Sequence, residues 1–372
     1  MFKKSLLALP LAFGVAVSLA ACSTGSEDSA GSGGTENDSC ISTVKAAVDE
    51  ARAPLDLVVP NAPLDLSKVE GKNVWVINVL TNQFIADSNE GYQAAADAAG
   101  VNLTIFDGEG QVPKWNEGIQ QAIAQGADAI ALFGIDTSIV SEAVKEAAAA
   151  GIPVVEGLAT NYDSERAPEV FSNISADYYK DGATLANWTL ADSDCTADTF
   201  LLYSSGLPIW VDTRDGAFDA YAKNCPECKI SDVNLDLANV ATEIPRVTQT
   251  QLTQSPDTKY LLATWDSAVP FIESAAAPVN PDAIILGRDG IEAALESIRT
   301  DGMQKVTVAS PQPQWIAWAV MDDMLRAIAG ESPNGIVVPT RLIDATNVGK
   351  TDADVMPNYQ DFEKEFVKAW GN

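Results

Sequence analysis

The chain has 372 residues, with 52 acidic against 23 basic side chains, a formal charge of −29 and no histidine. A charge of that sign offers no basic patch and excludes nucleic acid as a partner. Without imidazole the chain lacks the usual general base at neutral pH and the commonest metal ligand, so no enzyme, metal site or cofactor is expected.

Two lysines near Met1 precede an apolar run, Ser5 to Cys22, broken by Pro10 and Gly14. The run is barely long enough to span a bilayer and reads as an export signal rather than a stop-transfer helix. It ends in Leu19-Ala20-Ala21-Cys22, which resembles the lipobox of bacterial lipoproteins. That resemblance implies cleavage before Cys22 and acylation of its thiol, hence anchoring at the outer face of a membrane. The alternative is an ordinary signal peptide with a chance cysteine. Ser23 to Ser39 holds only small, polar and acidic residues and reads as a flexible tether.

Four cysteines remain, Cys40, Cys195, Cys225 and Cys228, and an even number outside the cytoplasm suggests disulfides. Cys225-Pro226-Glu227-Cys228 has redox-motif spacing, but it follows a helical stretch (GAFDAYAKN) and precedes a strand-like one (KISDVNLDL). A reactive thiol sits at a helix N-terminus, so a structural loop clip is the favoured reading. Cys40 with Cys195 is the pairing left over.

From Asn73 onward one unit recurs: an apolar β-rich run, turn residues, an Ala-rich amphipathic helix, then glycine. NVWVINVL leads to ADSNEGYQAAADAAG, VNLTIF to PKWNEGIQQAIAQG, and ADAIALFGI to TSIVSEAVKEAAAAG, followed by IPVV. Gly100, Gly126 and Gly151 stand where left-handed helix caps are expected. After a pause through GLATNYDSERAPEV the rhythm resumes with VFSNI, then DTFLLYSS, KISDVNLDL, KYLLAT, DAIILG and KVTVAS, each alternating with a helix. Strands alternating with helices imply parallel, doubly wound sheets, and unalternated apolar runs imply strands covered on both faces. The break divides the chain into two similar lobes. QWIAWAVMDDMLRAIAG is a further helix and GIVVPTRLI a closing apolar stretch.

In open α/β sheets, ligands sit beyond the carboxyl ends of the strands. The residues placed there are Thr81 to Phe84, Asp107 to Glu109, Asp136, Glu156, Ser204-Ser205, Asp236, Trp265-Asp266, Arg288-Asp289 and Ser310. Amides, carboxylates, an arginine and aromatic faces suit a polyhydroxylated small molecule. Asp136 and Asp289 also fit as helix N-caps. Trp188 and Trp318 lie on apolar helix faces and read as core. Trp265 fits either a ligand or a core role, and Trp115 and Trp210 begin helices near the same edge.

The chain resembles the periplasmic sugar-binding proteins of ABC importers, the ribose- and galactose-binding type, over about residues 70–345. NVLTNQFIADSNEGYQAAADAAG, IQQAIAQGADAIALFGID, AGIPVV, TRDGAF, LLATWDSAV and LGRDG carry the resemblance through their order and spacing. It implies two Rossmann-like lobes joined by three crossings, near residues 160–173, 309–312 and 334–340, with ligand in the cleft and hinge closure upon it. By position, Asn82 and Phe84 match first-strand ligand residues, Arg214 the arginine that clamps hydroxyls, and Asp289 the family aspartate. Trp265 stands where a ribose binder shows an amide, beside Asp266, and Ser310 stands where glutamine is usual. Leu158-Ala159 replace the Asp-Arg pair expected after the fourth strand. These departures imply a pocket less charged and more aromatic than a ribose site.

The resulting organisation is a signal peptide (1–21), tether (22–40) and N-terminal extension (41–66, a short helix and a surface connector). An N-lobe (67–172 plus 311–334), a C-lobe (173–310 plus 335–347) and a C-terminal tail (348–372) follow. The function expected is a lipid-anchored monomeric solute-binding subunit that delivers a sugar or related polar solute to an ABC permease. The ligand set is Asn82, Phe84, Asp136, Arg214, Trp265, Asp266, Asp289 and Ser310. A receptor presenting ligand to a sensor, and a paired-carboxylate glycoside hydrolase, are the alternatives.

Overall fold

A computed structural model describes residues 33–236 and 239–371; the signal peptide and Cys22 lie outside the described residues. Two sheets organise the chain. The first has the order β2-β1-β3-β4-β5, all parallel, from β1 (Asn73–Asn78), β2 (Asn102–Asp107), β3 (Ala129–Phe133), β4 (Val154–Gly157) and β5 (Val170–Ile174). The second contains β6 (Asp198–Tyr203), β7 (Lys229–Asn234), β8 (Tyr260–Ala263), β9 (Ile284–Asp289), β10 (Gln304–Ala309) and β11 (Arg341–Asp344). Its order is β11-β10-β9-β8-β6-β7, with only β11 antiparallel. These are the two α/β lobes expected from the sequence.

Central strands are mostly apolar because helices cover both faces, and all of β3 and β4 is buried. The edge strands β2 and β7 are largely open. In the first lobe α2 (Gln83–Ala99), α3 (Val112–Ala124), α4 (Ser141–Ala149) and α10 (Pro313–Ala329) flank the sheet. In the second the helices are α5 (Tyr178–Asp192), α6 (Pro208–Asn224), α7 (Val240–Gln254), α8 (Val269–Ala276) and α9 (Glu292–Arg299). Gly100, Gly126 and Gly151 all take positive φ just past a helix, at 69°, 70° and 78°. Two other glycines set how closely α5 and α6 cross. A Cβ on Gly182 would stand 1.8 Å from the Thr213 carbonyl oxygen, and one on Gly216 1.9 Å from that of Tyr179.

The lobes divide slightly later than the sequence suggested. Val170–Ile174 pairs in parallel with β4, which keeps residues 173 and 174 in the first sheet and puts the first crossing at Ser175 to Asp177, not at 160–173. Ser175 forms an isolated parallel bridge with Val337, so the first and third crossings run side by side. The second runs from Ala309, the end of β10, to Pro313, the start of α10.

The flanking segments are more ordered than expected. α1 (Gly33–Ala51) is helical through 33–40, the last part of the stretch 22–40 read as tether. Cys40 is bonded to Cys195 with Cα atoms 6.5 Å apart, and Val44 and Val48 are buried against the second lobe. Cys225 is bonded to Cys228. The connector after α1 then reaches the first lobe, where the Val58 carbonyl accepts from Trp315 Nε1 at 3.0 Å. The tail at 348–372 forms α11 (Asp352–Val355) and α12 (Phe362–Ala369), and packs into the first lobe. Trp318 stacks on Trp370 at 5.2 Å between centroids, and Trp370 Nε1 donates to Asp322 at 2.8 Å. Apolar side chains on both segments cover α10, whose central face would otherwise meet water.

Candidate functional site

The carboxyl ends of both sheets meet across a cavity of about 430 Å³. Its first-lobe wall follows from how β1 ends. Trp115 Nε1 donates to the Val79 carbonyl at 2.9 Å and pins the turn that carries Thr81 and Asn82. Asn82 is the N-cap of α2, its Oδ1 accepting from the Ile85 amide at 2.9 Å. Thr81 Oγ1 donates to Asp107 at 2.9 Å. Phe84, in the first turn of α2, lies near-parallel to Phe133 from the end of β3. Leu158, after β4, takes a φ of 53° and also lines the cavity.

The second-lobe wall is aromatic with one polar pole. Trp210 opens α6, Trp265 follows β8, and their rings stack at 4.0 Å with planes 12° apart. At the end of β9, Arg288 is 3% exposed. Its Nε donates to Asp181 Oδ2 and its Nη1 to Asp289 Oδ1, each at 2.9 Å. Its guanidinium carbon stands 4.0 Å from the centroid of the Tyr178 ring. Nη2 is buried with no partner. Thr340, from the third crossing, donates to Asp181 at 2.6 Å and ties this cluster to the hinge. Burial pushes the Asp289 carboxyl up to about 7, against the pull of Arg288 and with a further push from Asp266. Burial likewise raises Asp181, with Arg288 opposing. Asp289 holds a φ of 133°, which a non-glycine residue rarely adopts and which costs on the order of 1–3 kcal/mol. Such strain persists only where surrounding structure enforces it, and ligand clamps are a common setting.

Of the eight residues expected to bind ligand, Asn82, Phe84, Trp265 and Asp289 line this cavity and the other four do not. Asp136 accepts from the Ser138 amide at 2.8 Å and borders a separate cavity of about 100 Å³ beside Glu156. Arg214 lies a turn deeper along α6 than Trp210, about 6 Å further from the strand ends. There it pairs with Asp215 and Asp232 and covers the Phe218 ring at 4.4 Å. Asp266 opens a 3-10 turn (Asp266–Ala268) just after the extended Trp265; it is buried in the second lobe away from the cleft, while Trp265 takes the cleft side. It accepts from the Gly290 amide, Gln304 Nε2 and Thr307 Oγ1 at 2.7, 2.7 and 2.9 Å, and so braces the turn after β9. Ser310 donates its amide to the Asp289 carbonyl at 3.2 Å, supporting that residue from behind. Trp210, Arg288, Tyr178 and Ser267 line the cavity but were outside the expected set. Trp210 and Arg288 had the right positions in sequence; nothing marked Tyr178 or Ser267.

Two α/β lobes joined by crossing segments, with a cavity where their sheet edges meet, define a solute-binding clamp. Residues 73–332 match the model of the periplasmic binding protein domain, and the chain belongs to that family. A ribose import binding protein from Bacillus subtilis (strain 168) is 27% identical over 253 residues, 67% of this chain and 80% of the relative. Among solved structures, one from Mycobacterium smegmatis in complex with β-D-fucofuranose superposes with a TM-score of 0.67 at 21% identity, covering 81% of this chain and 98% of that one. The fructose-binding periplasmic domain of the hybrid two-component system BT1754 gives 0.68 at 19% identity, covering 81% and 99%.

Proposed function

We propose that this protein is the solute-binding subunit of an ABC importer. It captures a small uncharged solute between its lobes, makes and breaks no bond in it, and hands it to a membrane permease. The observation that carries this reading is the interlobe cavity, whose two walls belong to different lobes linked by the crossings at 175–177, 310–312 and 334–340. Rotation about those segments opens and closes the cavity without disturbing either sheet. The ribose import binding protein and the β-D-fucofuranose complex among its relatives support a neutral solute. Acylation of Cys22 is the proposed anchor, placing a monomeric body at the outer face of the cell membrane.

Small-angle scattering on the purified protein tests the clamp. A bound solute contracts the radius of gyration, and unchanged dimensions across a broad library of sugars, polyols and small cyclic metabolites overturn the reading. The likeness to the periplasmic domain of a two-component system supports a second reading, a receptor presenting the closed form to a sensor. Co-purification with a permease or with a sensor separates the two.

A further inference from the structure

The cavity walls bear on which solute fits, and this inference rests on the solute-binding reading above. Among the described residues, only Glu109, Arg288 and Asp289 bring charge to the lining, and Glu109 is an exposed side chain at the rim. The rest is dominated by leucine, isoleucine, valine and aromatic side chains. On the first-lobe side the Thr81 hydroxyl and the Asn82 amide oxygen are already engaged, which leaves the Asn82 amide nitrogen to serve a ligand there. Thr81 donates to Asp107, and the Asn82 amide oxygen accepts from Ile85. A fully hydroxylated sugar would leave several hydroxyls desolvated against Ile85, Phe133, Leu158, Leu207 and Ile209, and each unpaired hydroxyl weakens binding.

The second lobe adds further unused hydrogen-bonding capacity. Arg288 and Ser267 line the cavity, and Arg288 Nη2 and Ser267 Oγ are buried beneath that lining without a partner. Around Arg288 stand two carboxylates, Asp181 and Asp289, so a ligand carboxylate would bring a third negative group to one guanidinium. A ligand ammonium would in turn face the guanidinium itself. The stacked indoles of Trp210 and Trp265 add a broad, flat apolar wall beside this pole.

We propose that the cleft takes an uncharged solute with an apolar ring body and a single hydroxyl- or carbonyl-bearing pole. The pole seats against Arg288 and Ser267 and the ring lies among Trp265, Phe84 and Leu158. This is an amphipathic cyclic alcohol or ketone rather than a polyhydroxylated sugar.

Calorimetry and thermal shift on the purified full-length protein test it. One set of probes is 4-hydroxybenzyl alcohol, 2-phenylethanol and cyclohexane-1,2-diol; the other is D-ribose, D-galactose and allitol. At least one ring alcohol is expected to bind about tenfold or more tighter than every member of the second set. Ser267→Ala, a small change on an unpaired hydroxyl, is expected to weaken that ring alcohol by about threefold to tenfold while the fold is kept. A sugar or polyol that binds as tightly as the ring alcohols overturns the inference and leaves the solute-binding reading intact. Ring alcohols that fail to bind overturn it as well. Only if both sets also leave the scattering dimensions unchanged does the solute-binding reading lose its support with them.

Discussion

Trp210 and Trp265, 55 positions apart in the chain, stack face to face with their centroids 4.0 Å apart on one wall of the interlobe cavity. One comes from the first turn of a helix and the other from the end of a strand, so the pair exists only when the second lobe is folded. Solute binding at this wall is expected to change tryptophan emission. Trp265→Phe should remove most of that change although the other seven tryptophans remain. A full-sized response in the variant would place the ligand elsewhere.

Arg288 holds the hinge side of the cavity together through Asp181 and Asp289. Arg288→Met leaves two buried carboxylates uncompensated and is expected to cost about 3–5 kcal/mol of stability. Urea denaturation followed by circular dichroism measures it. A loss well under 1 kcal/mol would mean that water reaches the cluster freely.

Asp289 makes stability depend on pH in a definite direction. Its carboxyl titrates near 7 in the folded protein against an ordinary 3.8, so the folded state holds a proton that the unfolded chain releases. The stability this supplies is full below about pH 4 and is lost as pH rises through about 7. Asp323, raised to about 6 by burial, works in the same direction. Asp289→Asn should therefore flatten the decline between about pH 4 and 8 without abolishing it. Denaturation midpoints measured across that range would show an unaltered slope if Asp289 ionises normally.

The Cys40–Cys195 bond closes a loop of 155 residues and fastens α1 to the second lobe. Replacing both cysteines by serine is expected to cost about 2–5 kcal/mol, because the unfolded chain regains the freedom the loop removed. The pair at Cys225 and Cys228 closes a loop of three residues, and its removal should cost distinctly less. Urea midpoints of the two double variants settle the order.

Arg214 provides a control. Its guanidinium is engaged by Asp215 and Asp232 on a half-exposed face away from the cavity lining. Arg214→Ala is expected to leave solute affinity within about twofold and to cost about 1 kcal/mol or less of stability. A large loss of affinity in calorimetry would restore the role that the family resemblance assigned to it.

The sequence by itself determined what depends on near neighbours. Apolar runs alternating with amphipathic helices, and glycines at the left-handed positions after them, specify the elements and hence two parallel sheets. A cavity at the strand ends follows from that topology, and Asn82, Phe84, Trp265 and Asp289, which line it, could be named from it. Tertiary structure decided which side chains at those ends look inward. Trp265 and Asp266 are adjacent in sequence, yet the 3-10 turn that begins at Asp266 leaves one on the cleft and sends the other into a bracing network. Trp210 and Arg214 share a helix, yet one turn of depth separates a cavity wall from an outer ion pair. The coverage of α10 by the C-terminal residues 362–370, and the attachment of α1 through Cys195, rest on contacts between segments more than 40 and 150 residues apart. Local periodicity cannot encode such contacts, because they depend on where two surfaces come to rest after both have folded.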